Sequence, residues 1–311
     1  MSFLPNLILG SSLYSFVPAV FCHLMLLGSL PSHQFKFLTD VLHLILIVGF
    51  LILVFYLWGT PYKRGFFCDD ESLKHPYKDS TVTNIMLYIV GICLPVFTMC
   101  LTEWLRLRDY KGGRSRTIFG LEIPAWVWEA YKVIGVFLFG CACQQLCTDI
   151  AKYTIGRLRP HFFDVISYFL LQVCKPDTDC NLPENKYKYI EDFICLGDPK
   201  YFKEMRMSFP SGHASFSAYT MFYFSMYLQK RFLWRGSKLF RHAIQFVLIM
   251  MAWYTVMSRV SDYKHHWSDV LSGFSIGLLF AILNVSTAGG RFLFSISCSL
   301  LYYSIVCIVT R

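Results

Sequence analysis

Three stretches of this chain gather residue types that could handle a charged, tetrahedral group. Lys152-Tyr-Thr-Ile-Gly-Arg157-Leu-Arg159-Pro160 packs three cations into a short run. Lys152 and Arg159 stand seven apart, two helical turns, so one helix face can present both. Pro160 is expected to end that helix after Arg159. The second stretch, Ser208-Phe-Pro-Ser211-Gly212-His213-Ala-Ser215, precedes an apolar helical run. Ser211 is suited to cap the helix, and the free N–H groups of its first turn would point at an anion. Gly212 lets a ligand come close to the backbone, and His213 lies at the mouth of that site. The third stretch is Ser258-Arg259-Val-Ser-Asp-Tyr-Lys264-His265-His266-Trp-Ser-Asp269. Arg259 supplies a planar fork that matches phosphate oxygens. His265 and Asp269 are four apart, so the carboxylate can hold one imidazole nitrogen and free the other as nucleophile or base.

Each stretch alone has a plainer meaning. A basic helix end can snorkel to lipid head groups, a helix can start beside an incidental His, and a surface His can sit by a solvated acid. Together they bring two Arg, one Lys, a helix N-terminus and two His to one place. Each part suits a tetrahedral dianion, and none requires a metal. Phosphoryl transfer spreads charge over three equatorial oxygens, so a catalyst needs mainly positioned cations and N–H donors. A His held by Asp can attack phosphorus while a second His protonates the leaving oxygen.

The elements that must position these residues are membrane helices. Of 311 residues, 55% are apolar and 16% charged, against about 25% charged in soluble domains. Mean hydropathy is +0.45. This excludes a disordered chain, a collagen-like chain and a typical soluble enzyme. The net charge of +9 comes in short clusters between apolar runs, a topology signal rather than a nucleic-acid surface. Spans are expected at about 38–58, 84–104, 125–147, 213–229, 240–257 and 269–287. The fourth is short and Ser-rich and reads as a helix inside the bundle. The fold class is therefore all-α: a polytopic membrane bundle of six core helices, with extra apolar segments at about 3–30 and 292–309. Residues 1–37 form an apolar extension, 38–287 the six-helix domain and 288–311 an apolar tail. Arg106, Arg108, Lys111, Arg114 and Arg116 mark one cytosolic loop, and Lys230, Arg231, Arg235, Lys238 and Arg241 another. The three motif stretches then fall on the outer side.

Residues 1–30 hold no Lys or Arg, so the positive start of a signal peptide is lacking. Cys93, Cys100, Cys141, Cys143 and Cys147 sit in spans as small apolar residues. Cys68, Cys174, Cys180 and Cys195 sit in outer loops where disulfides persist. Four Cys allow three pairings, and all three stay open. No zinc-ligand spacing occurs.

Lys152-x6-Arg159-Pro160, Pro210-Ser211-Gly212-His213 and Ser258-Arg259-x5-His265-x3-Asp269, in that order, resemble the three-part signature of the type 2 phosphatidic acid phosphatase superfamily. The longer strings 148–161 and 258–270, with Arg64-Gly-Phe-Phe-Cys-Asp-Asp-Glu-Ser72, are similar to the animal lipid phosphate phosphatases. The resemblance covers about residues 38–287. It implies that Lys152, Arg159 and Arg259 hold the phosphate oxygens with Ser211 and the Gly212 backbone. It implies that His265 forms a phosphohistidine, that Asp269 orients it and that His213 is the general acid. His266 matches no motif position and reads as a structural neighbour. No cofactor or metal is implied. The implied substrates are phosphatidate, lysophosphatidate, ceramide 1-phosphate and sphingosine 1-phosphate. The implied site faces outside the cell at the plasma membrane, or an organelle lumen. A homo-oligomer is left open, and no nucleic-acid partner is expected.

Three departures stand beside the resemblance. Val165–Val173 inserts an apolar patch in the outer loop. The only glycosylation sequon, Asn284-Val-Ser286, falls inside the sixth span. The apolar tail after Thr287 replaces a polar one. Two other readings share the sequence: a phosphatase for a soluble ester such as a sugar phosphate, and a non-catalytic lipid-binding relative. Intact motif positions argue against the second. A transporter is expected to place its ionisable groups near mid-bilayer, whereas these cluster at one interface.

Overall fold

Capping residues set the helix boundaries. Thr83 accepts a bond from the Met86 N–H and opens α1 (Asn84–Leu107). In this computed structural model α1 carries a π-helical segment over Ile89–Cys93. Pro124 precedes α2 (Ala125–Ile155). Ser211 caps α3 (Gly212–Arg231) by accepting from the Ala214 N–H. α4 (Lys238–Ser261) and α5 (Trp267–Thr287) follow. The structure describes residues 42, 49, 59–108, 116–118, 121–163, 174–176, 183–185, 187–191, 193–195, 203–232 and 238–287. The expected first span at about 38–58 lies outside the described residues apart from Leu42 and Gly49. The apolar extension 1–37, the tail 288–311, the Val165–Val173 patch and Cys180 also lie outside them.

Four helices among the described residues are long and apolar enough to cross a membrane: α1, α2, and the stretches Leu239–Ser261 and Trp267–Val285. α3 occupies the expected fourth span and is the central helix. Thirteen of its residues are buried, so its Ser and Thr side chains meet protein rather than lipid. It packs against α5, α4 and α2. Gly273 and Gly277 of α5 allow that packing, because a Cβ on either would collide with the carbonyl of Ser211 or Ser215. Met99, Phe137, Tyr219, Tyr223 and Phe280 form the main core. The Tyr219 hydroxyl donates to the Phe137 carbonyl at 2.8 Å, which satisfies it inside the bundle. Gln144 donates to Thr148 Oγ1 at 3.1 Å and also to Ser215, tying α2 to α3 below the motif end.

The mostly helical architecture agrees with the expected all-α membrane bundle, to which three short antiparallel ribbons are added: β1 (Phe66–Phe67) pairs with β5 (Tyr189–Ile190), β2 (Arg116–Ile118) with β3 (Leu121–Ile123), and β4 (Cys174–Pro176) with β6 (Phe193–Cys195). These two-stranded ribbons sit in the connections between helices. One expectation is corrected here: α2 ends at Ile155 and not after Arg159. Gly156 takes a left-handed conformation with φ 60° and closes the helix by donating to the Lys152 carbonyl. A Cβ there would also strike the Tyr62 carbonyl. Arg157 and Arg159 are thus in extended chain. The Ser208 N–H donates to the Arg157 carbonyl at 3.0 Å and the Arg159 N–H to the Met205 carbonyl at 3.0 Å.

Phe66, Cys68, Leu73, Leu158, Phe162, Ile190 and Met205 form a second apolar cluster over the motif end of the bundle. Cys68 is disulfide-bonded. Cys174 and Cys195 are directly opposed in their ribbon. The five span cysteines form no disulfide.

Candidate active site

Four segments converge at one end of the bundle: the chain before α1, the end of α2 with its extended exit, the start of α3, and the turn between α4 and α5. Lys152, on the last turn of α2, pairs with Asp149 Oδ1 at 3.2 Å. Its ammonium lies directly over the start of α3, since a Cβ on Gly212 would meet Lys152 Nζ at 2.9 Å. Glycine there leaves the α3 amide groups open beneath a cation. Arg159 reaches in from the extended segment and is fixed by Glu204. Its Nε donates to the Glu204 carbonyl at 3.1 Å, and Nη2 lies 3.2 Å from Glu204 Oε1. Arg259, at the end of α4, is 1% exposed. Its Nη2 donates to Asp262 Oδ2 at 2.9 Å. The Asp262 carboxylate is itself held by the Thr81 N–H at 2.8 Å and the Thr81 hydroxyl at 2.7 Å.

Two histidines face this cation set. His213 is bonded to the Val82 backbone, while its Nε2 is buried without a partner. His265 is buried, and its Nδ1 lies 2.7 Å from the Ser208 carbonyl. Nδ1 therefore carries the proton, and Nε2 keeps its lone pair. Burial holds the His265 pKa well below the ordinary imidazole value. The positive charges of Arg159 and Lys152 push the same way, while the Ser208 carbonyl opposes them. The ring is consequently neutral at neutral pH, as a nucleophile must be.

Asp269 does not bond His265 directly, contrary to the expected one-turn pairing. The turn at Tyr263, with φ 54°, sends the His265 ring toward Ser208. Asp269 Oδ2 instead accepts from the Ser208 hydroxyl at 2.6 Å and the His266 N–H at 3.1 Å. It lies 3.2 Å from His266 Nδ1. The carboxylate thus grips both chain segments that hold His265, one on each side. Arg157 completes the arrangement with bonds to Asp269 Oδ1 and to the Ser268 hydroxyl, the latter at 2.8 Å. The Ser211 N–H donates to the Asp269 carbonyl at 2.9 Å, joining the α3 start to the α5 start.

The arrangement can hold a tetrahedral anion between three cations and a helix N-terminus, with a neutral imidazole on one side and a second imidazole nearby. The PAP2 superfamily matches residues 134–292. The chain is 51% identical over 258 residues to a Drosophila melanogaster protein named "Putative phosphatidate phosphatase", covering 78% of this chain and 66% of that one. It is 41% identical over 249 residues to mouse phospholipid phosphatase 2, covering 80% of this chain and 84% of that protein. It is 40% identical over 242 residues to rat phospholipid phosphatase 1, covering 78% and 80%. The chain belongs to the PAP2 superfamily.

No solved structure matches the chain. Within the PAP2 match lie all the site residues expected from sequence, from Lys152 to Asp269, and the structure brings them together. With four helices able to cross a membrane and this family membership, the protein is an integral membrane protein. Several residues of the PAP2 site were not singled out in the sequence. Arg157, Glu204 and Asp262 act as counter-ions or clamps, and Ser208 serves through both its carbonyl and its hydroxyl. Lys264 and Tyr77 flank Arg159, with the Lys264 ammonium 3.6 Å above the Tyr77 ring. Burial, with Arg159 adding to it, lowers the Lys264 pKa to about 8. His161 is fully buried, with Nδ1 2.7 Å from the Tyr263 carbonyl. Arg157, Ser208, Asp262 and Lys264 stand inside the motif strings, and that proximity was the available signal. Tyr77, Thr81 and Glu204 lie outside them, and nothing in their local sequence marks them.

Proposed function

We propose that this chain is a lipid phosphate phosphatase that works through a phosphohistidine at His265, without magnesium. The observation that carries the reading is the buried, neutral His265, with Nδ1 fixed on Ser208 so that Nε2 keeps its lone pair, and with Arg159 and Lys152 near enough to act on the ring. In the first step His265 Nε2 attacks phosphorus and the ester P–O bond breaks. The arginines, Lys152 and the α3 amides take up charge on the three equatorial oxygens. The leaving alkoxide receives its proton from His213 Nε2, and the bound dianion is the charge that lets that nitrogen carry one. In the second step water gives its proton to His213 and its oxygen to phosphorus. The P–N bond breaks, inorganic phosphate leaves, and His265 is neutral again.

Substrates on this reading are membrane lipids with a terminal phosphate monoester: phosphatidate, lysophosphatidate, ceramide 1-phosphate and sphingosine 1-phosphate. The names of the relatives support the phosphatidate class. Loop charges support a site that faces outside the cell at the plasma membrane, or an organelle lumen.

The test is phosphate release from the purified protein with phosphatidate in detergent and EDTA, for wild type and His265→Ala. Release by wild type in EDTA and loss in the variant are expected. No release in EDTA, or equal release by both proteins, would falsify the mechanism.

A further inference from the structure

An apolar groove of about 420 Å³ lies between the start of α1, α3 and α4, within the roughly 300–1,000 Å³ common for ligand pockets. We propose that it holds an acyl chain of the substrate while the phosphate sits among Lys152, Arg159 and Arg259. The inference rests on the phosphatase reading above and adds where the lipid tail goes.

Continuity with the site is the first argument. Val82 lines the groove, and its backbone is the partner of the His213 ring. Ser217 and Thr220 line it further along α3, one and two turns beyond His213. Thr255 lines it one turn before Arg259 on α4. The leaving oxygen beside His213 is therefore at the head of the groove, where an alkyl chain attached to it must pass.

The chemistry of the wall is the second argument. Three of its four hydroxyls donate within their own helices, and the fourth belongs to the exposed ring of Tyr254. Ser217 donates to the Ala214 carbonyl, Thr220 to the Phe216 carbonyl and Thr255 to the Met251 carbonyl, at 3.3, 3.0 and 3.0 Å. These three groups therefore have no proton left for a ligand, and the rest of the lining is dominated by aliphatic, aromatic and methionine side chains. Cations at one end and apolar walls below match one kind of molecule, an amphiphile with a phosphate head.

Shape and access complete the case. The π-helical segment of α1 puts Val90 and Gly91 on the groove wall, a local widening of the sort found at functional sites. From Phe246 to Thr255 the α4 wall runs nine residues, about 13 Å at 1.5 Å per residue. That is close to one leaflet, half of a hydrocarbon core of ~30 Å. The groove also opens sideways. Met86, Phe246, Met250 and Tyr254 line it and are exposed on the surface of the bundle. A lipid could slide its tail in from its own leaflet without leaving the membrane.

The experiment uses the full chain in phosphatidylcholine vesicles with a phosphonate analogue of phosphatidate, which resists hydrolysis and carries a diazirine midway along one chain. After illumination, labelled residues are mapped by mass spectrometry. Labels on Val90, Met221 and Met250 are expected, lost with excess dioleoyl phosphatidate and retained with equal extra phosphatidylcholine. Val90→Trp, which fills the groove from a partly buried position, should lose the Met250 label. Phosphatidate-sensitive labels confined to other helices overturn the groove and leave the phosphatase reading standing. An unchanged Met250 label in Val90→Trp overturns the groove as well. Absence of any phosphatidate-sensitive label removes the phosphate site itself, and the groove with it.

Discussion

Asp262→Ala should damage this protein more than its place in a turn suggests. The Asp262 carboxylate is the counter-ion of Arg259, which is 1% exposed. The same carboxylate accepts from the Thr81 N–H and hydroxyl at 2.8 and 2.7 Å. Removing it leaves a buried guanidinium without its partner and two donors without an acceptor. Breaking a buried pair in this way costs about 3–5 kcal/mol. At roughly 2–4 °C per kcal/mol for a domain of this size, the unfolding midpoint should fall by about 6–20 °C. The assay is thermal unfolding of detergent-purified protein, with and without inorganic phosphate. Phosphate in the site gives Arg259 a new partner, so the stabilisation it brings should be larger in the variant than in wild type. Activity at a permissive temperature should fall by about 10²–10³, as for loss of one transition-state donor. A variant with the wild-type midpoint and the wild-type phosphate response would refute the idea that Asp262 supports Arg259.

Arg157→Ala should lower kcat about 10²-fold with KM little changed, because Asp269 loses its guanidinium and the segments gripping His265 loosen. Arg157→Lys should restore part of that loss; a raised KM with normal kcat would instead make Arg157 a phosphate ligand. Burial lowers the His161 pKa to about 4. The unfolded chain takes up a proton near the ordinary 6.5 while the folded chain stays neutral. That contribution is whole above about pH 6.5 and is lost as pH falls toward 4, by up to about 3 kcal/mol. His161→Phe should therefore show a shallower decline of the midpoint between pH 7 and 4.5, and parallel curves would count against it. Gly156→Ala forces a side chain into a left-handed φ and against the Tyr62 carbonyl. It should cost at least about 1–2 kcal/mol, and an unchanged midpoint would show that the turn relaxes freely.

Much of the site was legible because its chemistry is concentrated in three strings. The cations, the capped Ser-Gly-His helix start and the paired histidines announce themselves by residue type. The limits were geometric. Lys152 and Arg159 at a two-turn spacing suggested one helix face, but Gly156 stops α2 between them. His265 and Asp269 at a one-turn spacing suggested a direct bond, but positive φ at Tyr263 turns the ring to Ser208. Local spacing describes only regular backbone, and both failures occur where the backbone leaves it. The Thr81–Asp262 bond spans 181 residues, and no periodicity reports a contact of that range. The fold followed a similar rule. The apolar runs marked α1, α2, α4 and α5 well. α3 was marked by its short, Ser-rich run as an interior helix, and its burial agrees. The short ribbons went unseen, since two or three residues carry too little pattern to announce a strand.

The dependence of the α3 start on α5 has a consequence for how the cell makes this protein. His213 and the turn before it are synthesised well before α5. Yet the Ser211 N–H is satisfied by the Asp269 carbonyl, and the Ser208 hydroxyl by the Asp269 carboxylate. The ring of His265 arrives on the same late segment. On the phosphohistidine reading, a growing chain with α1 to α4 already in the membrane thus holds cations but lacks the proposed nucleophile, and its Ser208–Ser211 turn has no lock. Insertion of α5 supplies both at once. On the phosphohistidine reading, insertion of α5 therefore completes the site, and a chain interrupted before it is expected to be inert.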